Sequence, residues 1–208
     1  MDDIVKAALA KWPNVPHCTG WLLLDRRGEW RMRDDGAQAR GELGTPIRHA
    51  ALRGFIERNY ACDEAGRWFF QNGPQRVFVE LAYTPWVVRL AAPSPGAPAL
   101  TDQTGAPFEP AAVLIDDEGS VLFGDASQPA RVALLHDHDL DLFAQLATLD
   151  ADGLSGALEW RSDRRLVIET VRGVELPARF GFVTSPAGAS IMARPLMGRL
   201  GSRAAREN

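Results

Sequence analysis

The stretch His136-Asp137-His138-Asp139-Leu140-Asp141 gathers two imidazoles and three carboxylates within six positions. That donor set suits zinc or another divalent ion. It also suits a helix start, where a short acidic side chain caps orphan N–H groups and further acids meet the positive end of the helix dipole. Internal spacing favours the second reading: Gly119 precedes Asp137 by 18 positions, and Gly28 precedes Pro46 by the same 18. We therefore expect Asp137 or Asp139 to cap a helix, with metal ligation by His136 and His138 as the alternative.

A second candidate is His17-Cys18, a thiol beside an imidazole. A nucleophilic cysteine needs a base within hydrogen-bond reach, and neighbouring residues of an extended chain point apart. Cys18 is expected to be an incidental buried or half-buried thiol. A thiol enzyme at Cys18 joins a metal-assisted hydrolase at His136 and His138 as the enzymatic alternative. No Gly-x-Ser-x-Gly elbow, no phosphate-cradling glycine loop with its lysine and no His-Glu-x-x-His pair occurs. Asp34-Asp35 and Asp116-Asp117 fall at hairpin turns or strand ends, where solvated carboxylates are expected. The expectation is a non-catalytic protein without a cofactor.

Binding is the other chemistry to weigh. In "RVFVE", Arg76 and Glu80 share a strand face with Phe78 between them, and "RLVIE" repeats the pattern with Arg165 and Glu169. Such a pair is either a solvated outer face or the lining of a groove. Trp21, Trp30, Trp68, Trp86 and Trp160 all fall on predicted strands, where a large ring fills core or stacks on a ligand.

The elements that would position these residues recur. "GWLLLDRRGEW" and "AVLIDDEGSVLF" both read as hairpins, around Gly28 and Gly119. Each is followed by a helix, an acidic-Gly turn at Gly66 or Gly153, and paired strands. The first helix of the two is expected in "GTPIRHAALRGFIERNY", with Thr45 as N-cap and Pro46 at its first position. "WVVRLA" adds a strand to the first half, and "ARFGFVT" one to the second. The predicted fold is α+β: two repeated ββαββ-type units, mainly antiparallel, packed against each other. The expected boundaries are a helix and connector over 1–19, a first unit over 20–91, a Pro/Gly-rich linker over 92–110, a second unit over 111–183 and a C-terminal segment over 184–208. A unit of about 70 residues buries too little surface to stand comfortably alone, so the seam between units is a natural ligand site.

Composition narrows the partners. Lys and Arg total 23 against 27 Asp and Glu, a net charge of −4, so attraction to a nucleic-acid backbone is not expected. No run approaches the roughly 20 apolar residues that cross a bilayer. The start "MDDIVKAALAKW" lacks the pattern of a signal peptide, and two cysteines make no disulfide framework; a cytoplasmic protein is expected. The C-terminal Arg194, Arg199, Arg203 and Arg206 form a basic segment that reads as a frayed tail or an amphipathic closure.

"PHCTGWLLLDRRGEW", "GTPIRHAALRGFIERNY" and "DEAGRWFFQNGPQRVFVELAYTPWVVRL" resemble an uncharacterised family of conserved proteobacterial proteins. More distantly, the chain is similar to another bacterial family of unknown function, through Gly28 with Trp30, Pro46-Ile47, Glu64 with Gly66, Val79-Glu80, Pro85-Trp86-Val87 and Arg194-Pro195. "AYTP" departs from that pattern by two inserted residues. The resemblance implies a duplicated β-rich motif with helices and at most a part in signal transduction. It supplies no catalytic residues. The functional expectation is a ligand- or protein-binding regulatory protein. Its expected surface is the seam, with Arg48, Arg76 and Glu80 as polar members and Trp30 and Trp86 as apolar ones, and its partner an unidentified small molecule or protein.

Overall fold

The computed structural model describes residues 2–12, 14–92, 97–151, 153–161 and 164–188. Its helices are α1 (Asp3–Lys11), α2 (Asp35–Ala39), α3 (Ala50–Arg58), α4 (Leu140–Leu146) and α5 (Leu176–Phe180). A six-stranded sheet holds β1 (Cys18–Leu24), β2 (Trp30–Met32), β3 (Thr45–Pro46), β4 (Tyr60–Cys62), β5 (Trp68–Asn72) and β6 (Gln75–Leu81), in the order β3-β2-β1-β6-β5-β4. A nine-stranded sheet holds β7 (Trp86–Ala91), β8 (Ala99–Asp102), β9 (Pro107–Phe108), β10 (Ala112–Asp116), β11 (Val121–Gly124), β12 (Val132–Leu135), β13 (Ala147–Leu149), β14 (Gly156–Arg161) and β15 (Arg164–Val171). Its order is β13-β14-β15-β10-β11-β12-β7-β8-β9. The fold is mixed α+β, mostly strands with few helices. Pairing is antiparallel except between β1 and β6, β10 and β15, and β12 and β7. Among the described residues no helix is long and apolar enough to cross a membrane.

Alternation along the strands explains the layers. On β10, Leu114 points to one side while Val113 and Ile115 point to the other. Leu114, Leu122, Leu134 and Val171 meet Leu22, Leu24, Val79 and Leu81 of the smaller sheet in one buried cluster. The opposite face, through Val113, Ile115, Phe123, Leu158 and Ile168, is covered with Phe143 of α4. The middle of the larger sheet is therefore buried on both faces, which is why β10, β11 and β12 read as continuous apolar runs.

Five turns use one sequence device, Asp-x-x-Gly, at 25–28, 63–66, 102–105, 116–119 and 150–153. In each the glycine N–H donates to the aspartate carbonyl at 2.9–3.1 Å. At Asp25, Asp63, Asp102 and Asp116 the carboxylate also accepts the backbone N–H groups two and four residues on, at 2.7–3.2 Å. The acid supplies the hydrogen bonds that close the loop, and the glycine supplies the left-handed residue of a bulged hairpin. Asp116, expected to be solvated, is thereby buried and satisfied, with Tyr83 O–H as a further donor.

Several expectations are corrected. Thr45 and Pro46 do not open a helix but form β3, pairing with Met32 and Arg31. Pro46 lacks an N–H and is tolerated because β3 is an edge strand. Helix α3 starts at Ala50, with the His49 imidazole accepting the Leu52 N–H at 3.2 Å. Strand β7 leaves the first half and runs parallel to β12. Thr84 directs this crossing: its hydroxyl donates to the Trp86 carbonyl at 2.7 Å and accepts the Leu134 N–H at 3.2 Å. Of the segment 92–110, read as linker, residues 93–96 lie outside the described residues and the remainder carries β8 and β9. Strands β1–β3 precede α3 and β4–β6 follow it, with α2 between β2 and β3, and β10–β12 precede α4 and β13–β15 follow it, one more strand on either side than ββαββ. The segment 178–184 is not a strand: Pro177 lies in the first turn of α5 and Gly181, at φ +65°, ends it. The five strand tryptophans do lie on β1, β2, β5, β7 and β14.

The turns differ in surroundings. A Cβ built at Gly66 (φ +77°) would collide with the Gly181 carbonyl oxygen, whereas one at Gly119 (φ +82°) meets open space. Gly119→Ala is expected to cost about 1 kcal/mol, the left-handed strain alone. Gly66→Ala should cost about 2–3 kcal/mol, because strain and a backbone clash combine. Denaturant midpoints of the two variants check this ordering.

Candidate functional site

The β1–β2 turn makes the clearest site. Asp25 is buried and accepts the Arg27 and Glu29 N–H groups and the Arg31 Nε–H, the last at 2.5 Å. With the acid turned inward, the two middle residues, Arg26 and Arg27, project from the tip. The Arg26 guanidinium lies over the Tyr83 ring at 4.2 Å and donates Nη2–H to Ser120 Oγ at 2.8 Å. Arg27 donates Nε–H and Nη2–H to Asp137 Oδ2 at 3.1 and 2.5 Å. The tip thus reaches across to the second hairpin and to the start of α4.

Two clefts meet at this tip. The larger, about 1120 Å³, is lined by Arg26, Arg27, Arg31, Met32, Arg40 and Leu43 among others. The smaller, about 420 Å³, lies between the halves, where Arg26 and Arg27 face Ser120, Leu134, Asp137 and Leu140. Two guanidinium groups hold the far wall of the larger cleft in place. Buried Arg33 donates Nε–H to the Glu42 carbonyl at 2.9 Å, and Arg31 donates Nη1–H to the Gly44 carbonyl at 3.2 Å. Arg27 pairs with Asp137, Arg31 with Asp25 and Arg40 with Glu42. Among the described residues no carboxylate pairs with Arg26.

The residues singled out by sequence are dispersed. Trp30 and Trp86 each stand edge-on to Tyr60, at 5.1 and 5.4 Å between ring centroids, with Trp68 beside Tyr60 and Trp86. Trp30 is buried in the core between the sheets, and both indole N–H groups are buried without a partner. Arg76 and Glu80 lie on the opposite face of β6 from Val77, Val79 and Leu81, so they point away from the seam. Arg76 stacks over Phe69 at 4.6 Å. Glu80, 1% exposed, accepts Ser185 Oγ–H at 2.5 Å and Ala187 N–H at 3.2 Å. Arg48 is exposed, 3.3 Å from Glu29. In the second half Arg165 pairs with Glu159 and Glu169 with Arg179, all exposed. The basic segment from Arg194 to Arg206 lies outside the described residues.

The acidic–histidine stretch does start a helix, but neither aspartate caps it. The His136 imidazole Nδ1 accepts the His138 N–H at 3.2 Å, while Asp139 receives the Arg89 guanidinium at 2.7 and 2.9 Å and the Leu90 N–H at 2.9 Å. An aspartate engaged by a neighbouring strand is unavailable as a cap. Among the described residues no group of three or more His, Cys, Asp and Glu could hold a metal ion. Cys18 packs against the inter-sheet core and burial pushes its thiol pKa up, the reverse of what activates a nucleophile. The His17 ring is edge-on to Phe78 at 5.6 Å.

Sequence reading missed the Arg26-Arg27 tip. The available signal was a doubled arginine at the two outward positions of an Asp-x-x-Gly turn.

Burial, and then the nearby Arg89 charge, hold the His136 pKa below its ordinary 6.5. The unfolded chain therefore takes up this proton first, and stability present above pH 6.5 falls as the pH drops toward the lowered folded value. His136→Asn, which can cap without titrating, should flatten that part of the stability–pH curve; denaturant melts between pH 7 and 5 compare the two proteins.

No curated protein matches the chain. Among solved structures, it resembles a DUF1285 family protein from Silicibacter pomeroyi DSS-3, with TM-score 0.48, 18% identity, and coverage of 84% of this chain and 99% of that one. A DUF1285 family protein from Shewanella baltica OS155 gives TM-score 0.37 and 14% identity over 60% of this chain and 91% of that one. Residues 1–187 match the family DUF2944, described as "Protein of unknown function (DUF2946)", and the chain belongs to that family.

Proposed function

We propose that this is a non-catalytic, cytoplasmic binding protein with a regulatory role, and that it holds an anionic ligand where the two clefts meet at Arg26 and Arg27. The observation that carries the reading is Arg26. Its guanidinium is oriented by the Tyr83 face and by Ser120, opens onto both clefts, and pairs with no carboxylate among the described residues. A cation already held in place loses little freedom when an anion arrives. Arg27 adds a second guanidinium whose pairing with Asp137 is exposed on both sides, and such pairs contribute at most about 1 kcal/mol, so an incoming acid can replace Asp137. The free thiols Cys18 and Cys62 are in keeping with a reducing compartment.

In the same reading the two halves are copies of one βββαβββ unit, the first ending with β6 and the second with β15. Three observations support the duplication. Both halves have the strand order third, second, first, sixth, fifth, fourth. Asp-x-x-Gly turns join the first and second strands and the fourth and fifth strands of each. An imidazole caps the start of α3, that of His49, and another, that of His136, caps the 3-10 turn Asp137–Asp139 that leads into α4. The expected site then shifts from the β6 face to the first turn of the first copy, which leans on the second.

Titration of small anions, followed by tryptophan fluorescence and thermal shift, should reveal saturable binding that weakens with added salt. Arg26→Ala is expected to lower that affinity roughly tenfold to a hundredfold, the value of a hydrogen bond to a charged group. Arg48→Ala, outside both clefts, should bind as wild type. Equal affinity in wild type and Arg26→Ala would overturn the reading.

A further inference from the structure

Resting on that reading, we infer that the ligand of the larger cleft is a linear dianion: two acidic groups, carboxylate or phosphate, at the ends of an apolar chain. The cleft lining carries cations in two places, at the hairpin tip and beyond the far end of β2, which runs away from that tip to pair with β3. Arg26 and Arg27 stand at the hairpin tip, and Arg40 stands at the end of α2. Among the described residues Arg40 forms its ion pair with Glu42, two residues away, in a pair that is 62% and 54% exposed, with the Asp34 charge nearby, so a ligand acid can take the place of Glu42. The other acids of the lining are already engaged. Asp25 serves the turn and Arg31, and Asp34 accepts the Ala37 N–H at 2.7 Å.

The same lining also has an apolar part. Met32 and Leu43 are 51% and 43% exposed and both face the cleft, with Ala37 and Ala82 beside them. Large apolar side chains left exposed within a concavity mark a place that an apolar body covers. A volume of about 1120 Å³ is far more than one inorganic anion fills. A compact polyanion would use one cationic place and leave Met32 and Leu43 wet, and a monoanion would leave Arg40 to Glu42. A dianion with an apolar middle matches all three regions.

Calorimetric titration with succinate, adipate, suberate, octanoate and inorganic phosphate separates these cases. Suberate is expected to bind about tenfold tighter than octanoate, the worth of one added charged contact. Arg40→Gln should erase that gap without changing octanoate binding, and Leu43→Ser should weaken suberate but not phosphate. Arg26→Ala should weaken every anion. These side chains are at the surface, and circular dichroism confirms that the variants fold. A terminal phosphate in place of one carboxylate is distinguished by comparing suberate with its monophosphate analogue. If suberate and octanoate bind alike while Arg26→Ala weakens both, the dianion inference falls and the anionic cleft stands. Phosphate binding more tightly than suberate has the same consequence. Binding of none of these anions, or binding indifferent to Arg26→Ala, overturns both.

Discussion

Leu22, Leu24, Val79 and Leu81 on the smaller sheet meet Leu114, Leu122, Leu134 and Val171 on the larger one, and the rest of the molecule depends on that contact. Each such side chain contributes about 1.5–3 kcal/mol when fully removed from water. The six-stranded sheet would otherwise present this face to solvent. The same contact brings the first hairpin against the second, so that Arg26 reaches Ser120 and Arg27 reaches Asp137. A cleft between halves is a consequence of packing two sheets whose turns protrude beyond their common core.

The Asp-x-x-Gly turns show one local device put to different uses. At Asp25, Asp102 and Asp116 the carboxylate bonds to its own loop and is buried. At the first turn this leaves the two middle residues, Arg26 and Arg27, to reach Ser120 and Asp137. At the β4–β5 turn the backbone instead packs closely on Gly181, and Val183 continues into a bridge with Arg67. That closure brings residues 185–187 onto Glu80, which explains how a carboxylate on a strand is buried and satisfied at once.

The seam is closed by rings as well as aliphatic chains. Tyr60 stands among Trp30, Trp68 and Trp86, and its hydroxyl donates to the Pro85 carbonyl at 3.0 Å. Trp86 lies on β7, the strand that crosses between sheets, so the cluster holds the crossover to the smaller sheet. Arg131 stacks against both Trp86 and Phe108 and so ties β7 to β9.

Local patterns in the sequence determined the hairpins and the strands that carry the tryptophans. These follow from period-two alternation and from glycines needing left-handed backbone, both of which act within a few residues. Tertiary structure alone decided which sheet each strand joined and which face of β6 met the seam. Trp86-Val87-Val88 pairs with β12 because Thr84 and Leu134 lie together only after folding. Thr45-Pro46 carries the marks of a helix start, yet the free edge of β2 captured it. Arg76 and Glu80 share a face in any strand, but only packing could show that this face lies away from the clefts and that Ser185 takes the glutamate. Arg26 and Arg27 likewise gained their partners Ser120 and Asp137 only when a segment more than ninety residues away was laid beside them, a juxtaposition that long-range hydrophobic burial sets and short-range pattern does not encode.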